Sequence, residues 1–209
     1  MTEHPISPVP DDGWRELTPE TTALLTERLF DFQIIRRSRQ VTNMRTCRLA
    51  FYPDHILCDI RTEAPAEPVE WVCCLYGRDG FRKLNGDSSV IHGLNADVGP
   101  GLEDPEVQRA YLKFFCFFVH GEEGPFEIIT TPDQLAEDID LPVGQPALDT
   151  ESNLWTASVL YGSTLFEAQF RIADDGHISM EADTPLREDV ARNPALIFDG
   201  AIRRLRQET

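Results

Sequence analysis

The chain reads as an α+β protein whose antiparallel strands pack against a central aromatic-rich helix and against helices near each end. Three observations predict this. Short runs alternate apolar and polar residues with a period of two. Pairs of a capping residue and proline recur where helices begin. A stretch around Phe114 is apolar on nearly every side.

The cap-and-proline pairs are Thr18-Pro19, Asp104-Pro105, Thr131-Pro132, Thr184-Pro185 and Asn193-Pro194. In each, a side-chain oxygen can accept from an orphan amide while proline occupies the first helical position, where no hydrogen bond is lost. The first leads into Ala23, Leu24, Leu25, Leu29 and Phe32, spaced as one buried face, and predicts a helix over 19–30.

Cys47, Leu49 and Phe51 alternate in one strand and Ile56, Cys58 and Ile60 in the next, across a turn at Tyr52-Pro53-Asp54-His55. Pairing Phe51 with Ile56 would put Cys47 and Cys58 on the same inward face. A third strand follows at 69–76, with Val69, Trp71, Cys73 and Leu75 on one side. Six glycines between Gly77 and Gly101 mark a long loop, broken only by a short strand at Ser89 to His92.

Asp104-Pro105 opens the aromatic helix, expected over 105–119 and stopped by Gly121. A short strand at 126–129 and a short helix at 132–138 come next. Beyond 141–149, which holds Pro142, Gly144 and Pro146, three alternating strands run through Trp155 to Tyr161, Phe166 to Ile172 and Ile178 to Ala182. Asp174-Asp175-Gly176 turns the second into the third. The last element is expected to be a helix over 193–206, with Arg203, Arg204 and Arg206 near its negative end. The alternation implies one covered face per sheet. The organisation expected is a single domain over 1–209, with subparts 18–140 and 150–209 joined by 141–149. Cys74-Leu75-Tyr76-Gly77 and Val159-Leu160-Tyr161-Gly162 echo one another, but three shared residues are too few for a repeat.

Composition narrows the function. In 209 residues, 36 are acidic and 19 basic, a net charge of −17 that repels phosphate backbones and anionic lipid. Nucleic acid and membrane are therefore not expected partners. The longest apolar run, Phe114 to Val119, is far shorter than a membrane span. The first twenty residues lack the basic start and apolar stretch of a secretory signal. Five cysteines, an odd number with no repeated spacing, fit buried thiols in a reducing, cytoplasmic compartment.

Several constellations invite chemistry. Cys116 and His120 have helical spacing and could lie on one face, but both sit in the most apolar segment and make no zinc set. Cys73 and Cys74 are adjacent in a strand, so they point to opposite faces. A cysteine nucleophile would have to come from Cys58, Cys73, Cys74 or Cys116 with His55, His92 or His120, and no flanking motif selects a pair. Asn85, Gly86, Asp87 and Ser88, with His92, Asn95 and Asp97 beyond, supply residue types of a hydrolase or ligand site on a loop, without a Gly-x-Ser-x-Gly elbow. Glu122 and Glu123 could act as paired carboxylates, though exposed loop charges are the simpler reading. No phosphate-binding glycine motif is present.

Two functions follow. The favoured one is a non-enzymatic interaction or regulatory protein that meets a partner with a basic surface and can self-associate, with no cofactor and no metal. The alternative is a small-molecule-binding enzyme, a hydrolase by residue type, using the 85–97 loop. Its catalytic candidates are Ser88, His92, Cys116 and His120, and its binding candidates are Asn85, Asp87, Asn95 and Asp97.

Overall fold

The computed structural model describes residues 13–136, 143–200 and 202–205. In chain order the elements are β1 (Trp14–Glu16), α1 (Pro19–Asp31), β2 (Gln40–Leu49), β3 (Tyr52–Glu63), β4 (Glu70–Gly77), β5 (Gly80–Lys83), α2 (Ser88–Val98) and α3 (Pro105–Phe118). They continue with β6 (His120–Gly121), β7 (Gly124–Pro125), β8 (Glu127–Ile128), a single 3-10 turn at Pro132–Gln134, β9 (Ala147–Asp149), β10 (Leu154–Tyr161), β11 (Thr164–Ile172), β12 (Ile178–Arg187), β13 (Leu196–Asp199) and β14 (Ile202–Leu205). The fold is mixed helix and strand, and the strands named here pair only antiparallel.

The first sheet runs β1-β2-β3-β4-β14-β13, with β5 sharing the edge of β4; the second runs β12-β11-β10-β8, with β9 on β10; β6 and β7 form a two-stranded ribbon. The largest buried cluster takes Leu57 and Leu75 from the first sheet, Trp155 and Phe170 from the second, and Tyr111, Phe114 and Phe118 from α3. A second cluster lies on the other face of the first sheet, where Leu29 of α1 meets Cys58, Ile60 and Cys74. The first sheet is thus covered on both faces, contrary to the one-face expectation. β4 shows why: Glu70 through Leu75 are all buried, a continuous run where a half-solvated strand would alternate.

Local chemistry explains where helices start. Thr18 accepts from the Thr21 amide at 3.3 Å and Asp104 from the Glu106 amide at 2.8 Å, each one residue before a proline. Thr131-Pro132 yields only the 3-10 turn, and Thr184-Pro185 lies inside β12. The buried side of α1 also differs from the expected stripe, since Leu29 is buried while Leu24 is 77% exposed and Phe32 is 42% exposed. The aromatic helix ends at Phe118, with Val119 extended, before it reaches Gly121.

Four further expectations are corrected. The glycine-rich segment is not a loop with a short strand: it forms β5 and then the eleven-residue helix α2, whose Ile91, Leu94 and Asn95 are buried. Its glycines misled because Gly93 sits within α2, where a Cβ would make only an ordinary contact of 3.7 Å with Arg82, while Gly99, at φ 66, ends the helix.

The C-terminal segment is not a helix but the β13–β14 hairpin, turned at Gly200 in a left-handed conformation. Helix propensity there amounts to fractions of a kcal/mol per residue. It loses to pairing of β14 with β4 and to buried carboxylates that take up Arg203 and Arg204.

The β2–β3 turn falls at Ala50-Phe51, and the register jumps between Arg48 and Leu49, so Pro53, Asp54 and His55 bulge out of β3. Cys47 consequently pairs with Leu57, and Cys58 with Thr46 and Cys74, which puts Cys47 and Cys58 on opposite faces.

In β12 a second irregularity, between Gln169 and Phe170 of its partner strand, turns Ala182 opposite Gln169 and away from the apolar face. The Leu-Tyr-Gly echo is also out of step: Gly77 pairs with Gly80 at the end of β4, whereas Tyr161 is the last paired residue of β10 and Gly162 lies in the turn. Of the short helix expected over 132–138, residues 137–138 lie outside the described residues, as do residues 141–142 of the expected boundary segment.

Candidate functional site

The predicted polar residues around α2 divide into those that build the helix and those that border open space. Asn85 accepts from the Asp87 amide at 3.1 Å, and Asp87 accepts from the Ser89 amide at 2.8 Å, so one makes the turn and the other caps the helix. The Ser89 amide and hydroxyl hold the Asp87 carboxyl below its usual range. Ser88 is the first residue of α2, and Asp97, near its end, pairs with Arg82 at 2.9 Å on the surface.

Asn95 is an interior residue. Its side-chain oxygen accepts from the Tyr52 hydroxyl, and its amide donates to the Tyr111 hydroxyl at 2.8 Å and to the Gly176 carbonyl at 3.2 Å. Tyr111 in turn donates to the same carbonyl at 2.7 Å. Burial pushes the Tyr111 hydroxyl up to about 12 and raises Tyr52 further, so both remain protonated donors.

The histidines lie apart in function. His92 stacks on His177 with ring centroids 5.0 Å apart and also meets Phe115. Desolvation lowers its pKa first and the His177 charge second, against a raising influence of Asp175. His120 donates its backbone amide to Gly86 at 2.9 Å and sets its ring against the same glycine, where a Cβ would come 3.0 Å from Nδ1. Gly86 has φ +90, so both its conformation and this contact call for glycine. Burial lowers the His120 pKa, opposed by a hydrogen bond with the Phe117 backbone.

Cys116 is 3% exposed within the large core cluster, and burial raises its thiol far above the ordinary range. The helix ends before His120, so these two residues do not share a helical face. No hydrogen bond joins Ser88, His92, Cys116 and His120 to one another. Among the described residues no group of three or more His, Cys, Asp or Glu side chains is arranged to hold a metal ion.

What the fold does bring together is a cleft of about 680 Å³ lined by Asn85, Asp87, His120, Glu122, Glu123 and Asp199. Phe198 closes one wall and meets the His120 ring edge-on at 5.5 Å. Ser88 and His92 do not line it. Asp199 and Phe198 could not be anticipated, because the segment that carries them reads as a helix in sequence. Asp97 borders a different cleft, of about 610 Å³, with His55 and Arg82.

The most developed chemistry is ionic and lies outside the residues singled out from the sequence. Asp59, 2% exposed, accepts from Arg45 Nε at 2.9 Å and from Arg203. Arg45 Nη2 makes a close ionic contact of 2.9 Å with the same carboxylate, though it is not aligned as a hydrogen bond. Arg203 also approaches Cys73 Sγ at 3.1 Å. On the opposite face, Glu70 takes Arg39 at 3.1 Å, Arg36 at 3.3 Å and Arg204 at 2.6 Å. Glu127 is held by Arg192 with two contacts. The available signal was charged residues at interior strand positions, which ordinarily require a partner.

No family model, no curated protein and no solved structure matches this chain. Among the described residues no helix is long and apolar enough to cross a membrane.

Proposed function

We propose that the chain is a non-enzymatic intracellular interaction or regulatory protein that meets a partner through an acidic exterior. The observation that carries this reading is a charge balance. Among the described residues the buried charged ones are Arg39, Arg45 and Arg203 against Asp59, Glu70 and Glu127, three of each sign. They cancel, so the excess of acidic over basic charge among the described residues belongs to those in contact with water. Such a field steers a basic surface toward the protein and repels an acidic one. Five free, buried cysteines suit a reducing setting. In the same reading α3 supports both sheets from within, and contact falls to the exposed side chains around them.

The test is capture of binding proteins from cell extract on the immobilised chain, followed by a salt gradient. Retained proteins with basic surfaces are expected to leave as salt rises from about 0.1 M to about 1 M, where the screening length falls from about 10 Å to about 3 Å. Retention of nothing at low salt, or of proteins indifferent to salt, overturns the reading.

The cleft that gathers Asn85, Asp87 and His120 favours a second reading, a small-molecule-binding enzyme with hydrolytic chemistry at His120. An ester or amide hydrolysis abolished by His120→Asn would support it. An activity indifferent to that change would end it.

A further inference from the structure

We propose that a second cleft, between the end of α1 and the first sheet, binds a small amphiphilic carboxylate: one anionic group on an apolar body. This goes beyond the acidic-exterior reading and does not depend on it.

The cleft measures about 510 Å³, within the range of small-molecule sites. Its floor is apolar, formed by Ile34 and Val72, 1% and 3% exposed, with Ile35 and Ile202 beside them. Its position follows from how α1 ends. The Gln33 amide donates to Phe30 and the Ile34 amide to Leu29 at 2.9 Å, with Gln33 left-handed at φ 55. That closure turns Ile34 inward onto Leu29 and carries Arg36 and Arg37 over the mouth.

The lining of this cleft is richer in cations than the chain as a whole. Four cations line it, Arg36, Arg37, Arg39 and Lys83, against one carboxylate, Glu70. In the whole chain acids outnumber bases by 36 to 19. Arg39 is consumed within the fold by Thr62, Glu67, Glu70 and the Pro68 carbonyl. Arg36 spans Glu67 and Glu70 at 3.2 and 3.3 Å yet remains 57% exposed. Arg37 makes two fully surface pairs, with Glu27 and Asp31. Lys83 forms no ion pair with any described residue. Arg36, Arg37 and Lys83 therefore have capacity for an incoming anion. A single negative charge is the better match than a dianion, because Glu70 sits in the wall and repels further charge. An alkyl or ring portion would lie against Phe30 and Ile202, the partly exposed apolar side chains of the same cleft, which water otherwise meets.

The probe is decanoate below its micellar concentration, titrated calorimetrically into the whole chain, with decanol and decylamine as neutral and cationic comparisons. Decanoate is expected to bind saturably at one site and at least about tenfold more tightly than decanol, with decylamine weaker still. Amide shifts of Ile34, Val72, Lys83 and Ile202 should move together in a nitrogen-labelled sample. Lys83→Glu should weaken decanoate by about tenfold or more and leave decanol unchanged. Arg37→Glu, at an exposed position, is the second variant and should act in the same direction if Lys83→Glu perturbs folding. The proposal is overturned by absence of saturable decanoate binding, by equal affinity for decanol, by shifts confined to another part of the chain, or by both charge reversals leaving decanoate affinity unaltered.

Discussion

Asn95 and Gly176, 81 residues apart in the chain, are joined by a hydrogen bond of 3.2 Å from the buried side-chain amide to the backbone carbonyl. With the Tyr52 and Tyr111 hydroxyls on the same carboxamide, this one residue ties α2 to β3, to α3 and to the loop between β11 and β12. Asn95→Ala leaves several buried polar groups without a partner. A loss of about 2 to 4 kcal/mol is expected from the desolvation each retains. Urea unfolding monitored by tryptophan fluorescence measures it, and a change under half a kcal/mol would show that water replaces the side chain at little cost.

Arg203 and Asp59 make the comparable link for the C-terminal hairpin. Asp59→Asn leaves Arg45 and Arg203 buried without their counter-charge, and about 3 to 5 kcal/mol of stability should go. Replacing all three residues together by Met, Leu and Met removes the charges along with their desolvation, and should cost less than Asp59→Asn alone. Hydrogen exchange in β14 locates the effect: faster exchange of the Arg203 and Arg204 amides is expected in Asp59→Asn before the rest of the sheet responds.

These two networks also show what sequence could and could not convey. Helix α3 and strands β10 and β11 were legible because their signals are local: Asp104-Pro105 caps a helix, and Trp155, Ala157 and Val159 alternate as one buried face that meets Phe170, Ala168 and Phe166 in register. The β13–β14 hairpin was not legible, because what selects strand over helix is the edge of β4 and the carboxylates of Asp59 and Glu70, 144 and 134 residues from Arg203 and Arg204. For α2, the glycines masked a helix that Asp87 caps locally. The candidate site suffered from the same ambiguity. Asn85, Asp87 and Asn95 are types that serve either binding or construction, and the fold uses Asp87 as a cap and Asn95 as interior wiring. The cleft beside His120 retains open space, and five of its thirteen lining residues come from the misread hairpin.

Stability should decline on mild acidification. His92 and His120 both have folded pKa values below the ordinary 6.5, chiefly through desolvation. Between the folded and unfolded values the unfolded chain binds more protons, so stability rises with pH across that interval and falls as pH drops below 6.5. His120 is the more enclosed of the two, and His120→Gln should flatten the slope between about pH 7 and pH 5 more than His92→Gln does. Denaturant midpoints collected across that range decide it. A slope unchanged in both variants would assign the pH dependence to carboxylates.

The end of α1 offers a stabilising substitution. Gln33 takes φ 55 where glycine is the usual choice, and its side chain is exposed, so nothing is lost by removing it. A left-handed residue other than glycine costs about 1 to 2 kcal/mol, part of which glycine returns through greater freedom in the unfolded chain. Gln33→Gly is therefore expected to gain about 0.5 to 1 kcal/mol, read as a raised melting temperature. Gln33→Val, β-branched at the same position, should lower it.

All five cysteines are free and buried. Burial raises the thiols of Cys73, Cys74 and Cys116 above the ordinary range, which removes the thiolate that reagents attack. Native protein mixed with an aromatic disulfide reagent should release almost no colour at first, and the same sample in denaturant should release five equivalents. The slow native reaction should follow the opening of the fold and so accelerate in Asp59→Asn, where the sheet that holds Cys73 and Cys74 is weakened. One thiol that reacts at once in the native protein would mean that a cysteine described here as core filling is instead poised at the surface for chemistry.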